Sequence, residues 1–318
     1  MMQIGLIGIS AGAAAALLFA SVQSGSLLAI VLFYLSPLPI MIAAMGWSHM
    51  AGLVAALSGG LSLAVAFDSY FAFAFMVCAA VPAWWLGYLA LLARPGASAE
   101  SIEWYPPGRI VLWAAGAAAI ATVVMACAAF GADAESFNKA LIGFLNAAEE
   151  RFRNANNLGS EKTINTEMLA LVMPSVVAAL NTVILLINAS LAARVVRLSG
   201  QLRRPWPELP MIAFPRTAPI LLAAALGGIF LTGILGIASG IFAGALTMAF
   251  ATLGIAVLHV ITRGNAARSI VLAVVYTAAV LFTWPAIIVL ALMGLVETVF
   301  DLRGRIAAIR TPPTTTRT

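Results

Sequence analysis

Apolar residues run along this chain in long blocks, separated by short clusters of turn residues and charges. The blocks are Ile4–Ala20, Leu27–Met45, Met50–Phe67, Tyr70–Leu92, Ile110–Phe130, Met168–Ala193, Pro219–Ile237 and Ile241–Ile261. Each is close to the length of a bilayer-spanning helix, which needs roughly 20 apolar residues. A further block, Ser269–Phe300, is too long for one upright crossing, and Trp284-Pro285 stands at its centre. Proline removes a backbone donor and tryptophan suits an interface, so this block reads as a hairpin of two short helices or one long tilted helix. The strands of a membrane barrel would instead alternate polar and apolar residues at every position. The pattern predicts an all-α, polytopic transmembrane helical bundle.

One segment follows a different period. Phe137, Leu141, Phe144, Leu145, Ala148 and Phe152 recur on one face, with Asn138, Lys139, Asn146, Glu149 and Arg153 over much of the other. This predicts an amphipathic helix near residues 135–157, lying flat on a leaflet or, alternatively, serving as a lid over a cavity. Thr311–Thr318 is polar with no apolar period and is expected to be a disordered tail. Residues 1–310 then form one transmembrane domain.

Charge gives the bundle an orientation. The chain is 63% hydrophobic and 9% charged, whereas a soluble domain carries about 25% charged residues. Its net charge of +5 gathers in short loops: Arg94 to Arg109, Arg194 to Arg216, Arg263 to Arg268, and the tail with Arg303, Arg305, Arg310 and Arg317. The positive-inside bias places these in the cytoplasm and the mixed-charge loop from Gly131 to Thr166 outside. A cytoplasmic tail then requires the last block to cross twice, giving about ten crossings with both termini in the cytoplasm, or eight to nine if short early helices merge or re-enter. Met1-Met2-Gln3 lacks the positive region of a secretory signal, so the first helix is expected to be retained. No basic helix or aromatic platform points to nucleic acid.

No catalytic constellation is present. There is no P-loop, no Gly-x-Ser-x-Gly elbow and no His-Glu-x-x-His. His49 and His259 have no carboxylate or cysteine at ligand spacing, and Cys78 and Cys127 sit inside apolar runs. The chain is expected to be no enzyme, to hold no metal or cofactor, and to carry no ATPase of its own. What remains is polar or helix-breaking residues at membrane depth. Ser36-Pro37-Leu38-Pro39 cannot continue a regular helix, and broken backbone there is tolerated only under protein or water. Ser36, Pro37 and Pro39 are therefore candidate substrate-binding residues, with a simple kink as the structural alternative. Asn181 and Asn188 share one helix face and join them as candidates; a helix–helix hydrogen bond of about 1 kcal/mol is the alternative. Glu297 and Asp68 fall near helix ends, where water or, for Glu297, Arg303 can reach them. Gly8, Gly12, Ala16 and Ala20 form a small-residue stripe suited to packing within the chain or to docking a partner membrane protein. Gly236, Gly240 and Gly244 repeat that interval, with a turn expected near Ser239.

These residues coincide with a known pattern. Ser36-Pro37-Leu38-Pro39-Ile40 followed by Gly46-Trp47-Ser48-His49 resembles the early segment of the bacterial YybS-like integral membrane family. The later stretch agrees: Glu167 to Pro174, Asn181, Asn188, Arg194, then Phe214-Pro215. By fold this uncharacterised family is similar to substrate-binding components of energy-coupling-factor transporters. The resemblance implies a multi-pass protein of the bacterial inner membrane that binds a small molecule and borrows an energy-coupling module. It also implies docking through the Gly8–Ala20 stripe, although no vitamin-binding motif is matched and the crossings outnumber the six usual in such components. Two functions are carried forward. The first is a transporter-like binding component, with a cavity between the second and sixth spans roofed by the Phe137–Phe152 helix. The alternative is a non-transporting scaffold or assembly factor acting through helix–helix contacts.

Overall fold

The structure, a computed structural model, describes residues 2–96, 101–156, 165–208 and 211–310. The expected tail at Thr311–Thr318 lies outside these residues. The helices are α1 (Met2–Ala20), α2 (Leu27–Tyr34), α3 (Pro37–Gly46), α4 (His49–Ala66), α5 (Ser69–Phe75), α6 (Val81–Ala90) and α7 (Pro107–Phe130). There follow α8 (Ala134–Ala155), α9 (Thr166–Leu198), α10 (Ala218–Gly228), α11 (Ile234–Ile261), α12 (Arg268–Leu281), α13 (Thr283–Phe300) and α14 (Leu302–Arg310). Among the described residues a single pair of antiparallel strands, β1 (Ala93–Pro95) and β2 (Ile102–Trp104), breaks the helical pattern. Among the described residues, 8 helical segments are long and apolar enough to cross a membrane. The chain is thus an all-α, multi-pass membrane bundle.

Polar side chains start several of the helices. Ser26, Ser48, Asp68, Asp133 and Asn165 each accept a backbone N–H three residues on, from Ala29, Ala51, Phe71, Ser136 and Met168. Each satisfies a first-turn donor that would otherwise lack a partner. Prolines mark the irregularities. Ahead of Pro82, α5 passes into α6 through a π turn in which the amide of Val81 reaches the carbonyl of Met76. Phe282 separates α12 from α13, which leaves Pro285 in the first turn of α13, where its missing donor costs nothing.

One boundary differs from the sequence reading. The turn expected near Ser239 lies at residues 229–233, and α11 runs unbroken through Ser239. Gly233 takes φ +75°, the left-handed region the turn requires. Gly244 is instead an approach point, since a Cβ there would collide with the backbone of Ser175. As a result α10 has only 11 residues, too few for a full crossing. α8 packs part of its apolar face on protein: Phe137, Leu141 and Leu145 are buried with Ala170, against Phe130, Ile234 and Ile237, while Phe144 and Phe152 are 58% and 60% exposed. The Thr166 hydroxyl donates to Asn146 Oδ1 at 2.9 Å and ties α8 to the start of α9.

Two cores flank a shared wall. One joins α1, α3, α4, α5 and α6 to one side of α7 and α9; the other joins α10, α11 and α13 to the opposite side. In lipid such contacts depend on close packing, so small residues matter most. The Gly8–Ala20 stripe packs inside the chain: a Cβ at Gly8 would meet Val54 and the Ala51 carbonyl, and one at Gly12 would meet Ser58 and the Ala55 carbonyl. Ala16 is also buried. That surface is occupied by α4 and is not free for a partner helix.

The described parts of the four Arg-rich segments meet at one end of the bundle. Arg204 Nη1 donates to the carbonyl of Ala90 at 3.0 Å and its guanidinium lies over the Trp104 ring. Arg263 pairs with Glu208 at 3.3 Å, and Arg303 Nη2 donates to the carbonyl of Ile212 at 2.9 Å. Trp84, Trp85, Tyr88, Tyr105 and Trp113 gather at the same end, as side chains at a membrane–water interface do. At the opposite end α8 covers the mouths of α7, α9 and α11.

Candidate functional site: two cavities on one helix seam

α9 and α11 run side by side in the same direction. Their contact is set at one end by Pro174-Ser175, where proline leaves the α9 backbone short of a donor and Ser175 lies against Gly240 and Gly244. The middle of the seam is a septum of small or tightly packed side chains, with Ala178, Thr182, Ala245 and Ala249 all fully buried.

A cavity opens at each end of this septum. At the Arg-rich end, about 450 Å³ lies between α7, α9, α11 and the residues Trp206, Pro207, Glu208 and Ile212. Its inner wall is apolar, with Ile110, Val111, Leu186 and Ala189. Its mouth carries Arg194, Arg197, Arg263, Arg268 and His259, with Glu208 as the single acid. His259 Nδ1 lies 2.9 Å from the carbonyl of Ile255 and so donates to it, leaving Nε2 toward the Tyr276 hydroxyl at 3.4 Å. At the other end, about 640 Å³ lies between α8, α9, the α10–α11 turn and Trp284. Asn138 and Ser175 are the polar side chains in that otherwise apolar lining. A third cavity, about 460 Å³, sits against the β1–β2 strand pair, braced by Arg94 and Glu103 at 2.8 Å.

The residues singled out in the sequence sit elsewhere. The cavities just described are lined by none of Ser36, Pro37, Pro39, Asn181 and Asn188. Ser36-Pro37 does break the helix, separating α2 from α3, but both residues are buried in packed protein. Without donors from Pro37 and Pro39, the carbonyls of Phe33 and Leu35 are taken by the amides of Ser36 and Leu38. The carbonyl of Tyr34 remains, and Asn188 Nδ2 donates to it at 2.9 Å while also donating to Ile184 at 2.8 Å. Asn188 thus holds α9 to the break. Its Oδ1 is buried with no hydrogen-bond partner among the described residues. Asn181 lies two turns away on the same face and is half-buried.

Other charges are accounted for by structure. Glu297 and Arg303 form a buried pair at 2.6 Å, reinforced by the Arg303 amide on Glu297 Oε2 at 3.1 Å. Asp301, at φ +50°, turns the chain so that α14 returns Arg303 to α13. Asp68 caps α5. Arg204 is 4% exposed, and burial pulls its pKa below the ordinary guanidinium value.

The sequence reading missed the convergence of Arg194, Arg197, Arg263 and Arg268, treating them only as loop charge. A signal was available, since Arg194 and Arg197 lie one turn apart at the end of an apolar helix and share a face. No protein-family model matches the chain, no curated protein matches its sequence and no solved structure matches its fold.

Proposed function

We propose that this chain is a small-molecule-binding, transporter-like membrane component without an ATPase of its own, and that the α9–α11 seam is its binding route. The observation that carries the reading is the pair of cavities at opposite ends of one seam, separated by small side chains. Packed helices lined by Gly, Ala and Ser can slide or rock with little steric penalty, the motion alternating access needs. In this reading the Arg-rich end faces the cytoplasm, as do both termini, and α8 lies outside as a cover over the second cavity. α10 and α12 complete about ten passes as short, partial spans. The resemblance of Ser36–Ile40 and Glu167–Pro174 to the YybS-like family agrees with an inner-membrane binding protein that works with a separate energy-coupling module.

The test is access to the septum. In a background with Cys78→Ser and Cys127→Ser, the variants Thr182→Cys and Ala245→Cys should react with a small membrane-impermeant thiol reagent in both right-side-out and inside-out vesicles. Complete protection from both sides would remove the transport reading and leave a static scaffold.

A further inference from the structure

The cavity at the Arg-rich end holds an unbalanced charge. Four arginines line it against Glu208, and that acid is engaged by Arg263 at 3.3 Å. Arg194, Arg197 and Arg268 have no carboxylate partner among the described residues. They come from two elements far apart in sequence, the last turns of α9 and the first residue of α12, so no local helical pattern explains their meeting. At a membrane edge the effective dielectric is lower than in water and like charges repel more strongly. α12 also begins with no side chain capping its first turn, which adds the positive end of a helix dipole beside Arg268.

The walls define the rest of the ligand. Behind the arginines the lining turns apolar at Ile110, Val111 and Leu186. A volume of about 450 Å³ is within the range of small-molecule sites, roughly 300–1,000 Å³. A carboxylate presents two oxygens and is satisfied by one guanidinium fork, whereas a phosphate offers oxygens in several directions and suits several forks at once.

We propose that this cavity is a binding site for a phosphate-bearing amphiphile, with the phosphate among Arg194, Arg197 and Arg268 and an apolar portion against Ile110, Val111 and Leu186. This names the ligand class for the inner end of the seam and rests on the binding reading given above. The phosphate can come from a phospholipid headgroup or from a soluble organic phosphate, and the two sources are separable.

The experiment uses the full chain in dodecyl maltoside micelles, which carry no phosphate, titrated by calorimetry with short-chain phosphatidylglycerol below its micelle concentration, with phenyl phosphate, and with succinate as a phosphate-free dianion. At least one phosphate probe should bind, and Arg194→Gln/Arg197→Gln should weaken it at least about tenfold, with Arg151→Gln on α8 leaving it unchanged. Arg268→Gln, on a different helix, should give a loss in the same direction and covers the case in which the double variant fails to fold. Preference for phosphatidylglycerol assigns the headgroup source, and preference for phenyl phosphate assigns the soluble one. Equal binding by wild type and both arginine variants, or succinate binding as tightly as the phosphate probes, overturns the proposal. Because the titration needs no movement of the seam, phosphate binding with a fully protected Thr182→Cys would remove the transport reading alone. The reverse pattern would remove this site alone.

Discussion

The side-chain amide of Asn188 donates to the backbone carbonyl of Tyr34 at 2.9 Å, across 154 residues of chain. That carbonyl is the one left over when Pro37 and Pro39 end the helix, so the break and the asparagine form one device. Asn188→Ala should lower stability by about 1–3 kcal/mol, the cost of a buried carbonyl left without a donor. In a Pro37→Ala/Pro39→Ala background the amide of residue 38 is free to reach Tyr34, and the Asn188 effect should shrink. Thermal unfolding of the four proteins in detergent measures the coupling directly. Equal Asn188 effects in both backgrounds would show that the two features are independent.

The α1 stripe makes a sharper contrast. A side chain at Gly12 meets backbone atoms of α4, while one at Gly5 meets nothing within 4 Å. Gly12→Leu should therefore destabilise by more than about 4 kcal/mol or prevent folding, with Gly5→Leu close to neutral. Size-exclusion profiles and melting temperatures of the two variants decide the matter. A well-folded Gly12→Leu protein would return the stripe to the surface as a docking face.

The Glu297–Arg303 pair is buried at 2.6 Å, its side chains 5% and 14% exposed. Removing either partner leaves an uncompensated charge, so Arg303→Met alone should cost about 3–5 kcal/mol. Replacing both, Glu297→Leu with Arg303→Met, should recover much of that loss. If the double variant is less stable than the single, the pair contributes more than charge balance.

Asp133 starts α8 by accepting the amide of Ser136, and these backbone hydrogen bonds hold its carboxyl below the usual value of 3.8. A depressed folded-state pKa means the stabilisation is complete above the unfolded value and disappears as pH falls through the lower folded one. Hydrogen exchange at the first turn of α8 should speed up, relative to mid-helix amides, as pH drops below 3.8. Asp133→Asn should remove that pH dependence while keeping the cap. Exchange that ignores pH in the wild type would show that the cap makes no contribution.

The long blocks were legible because hydropathy is the dominant signal in a membrane chain, and α1, α4, α7 and α9 begin and end close to the expected residues. The α10–α11 boundary was not, since glycine has two uses that look alike in one dimension. Gly233 supplies a positive φ, while Gly236, Gly240 and Gly244 lie inside the helix, where the last two let Ser175 approach. The break at Ser36–Pro39 could be read locally, but its partner comes from another helix, so the sequence offered Asn188 only as a polar face. The arginines were visible one loop at a time. Their convergence on a cavity is a tertiary fact, carried by contacts such as Arg263 to Glu208 and Arg303 to Ile212. The apolar period of α8 does not say which of its positions meet protein: Phe137, Leu141 and Leu145 are buried, whereas Phe144 and Phe152 on the same stripe are exposed.

Under the proposed function the α9–α11 seam moves between two states. Electron–electron double resonance measures this most directly, with spin labels at exposed Leu171 and Leu235 beside the α8-covered cavity, and in a second sample at exposed Val195 and Ala266 beside the basic one. Each pair should show two distance populations, and a phosphate-bearing probe should shift the two pairs in opposite directions. A single narrow distance at both ends, unchanged by any probe, would contradict the account.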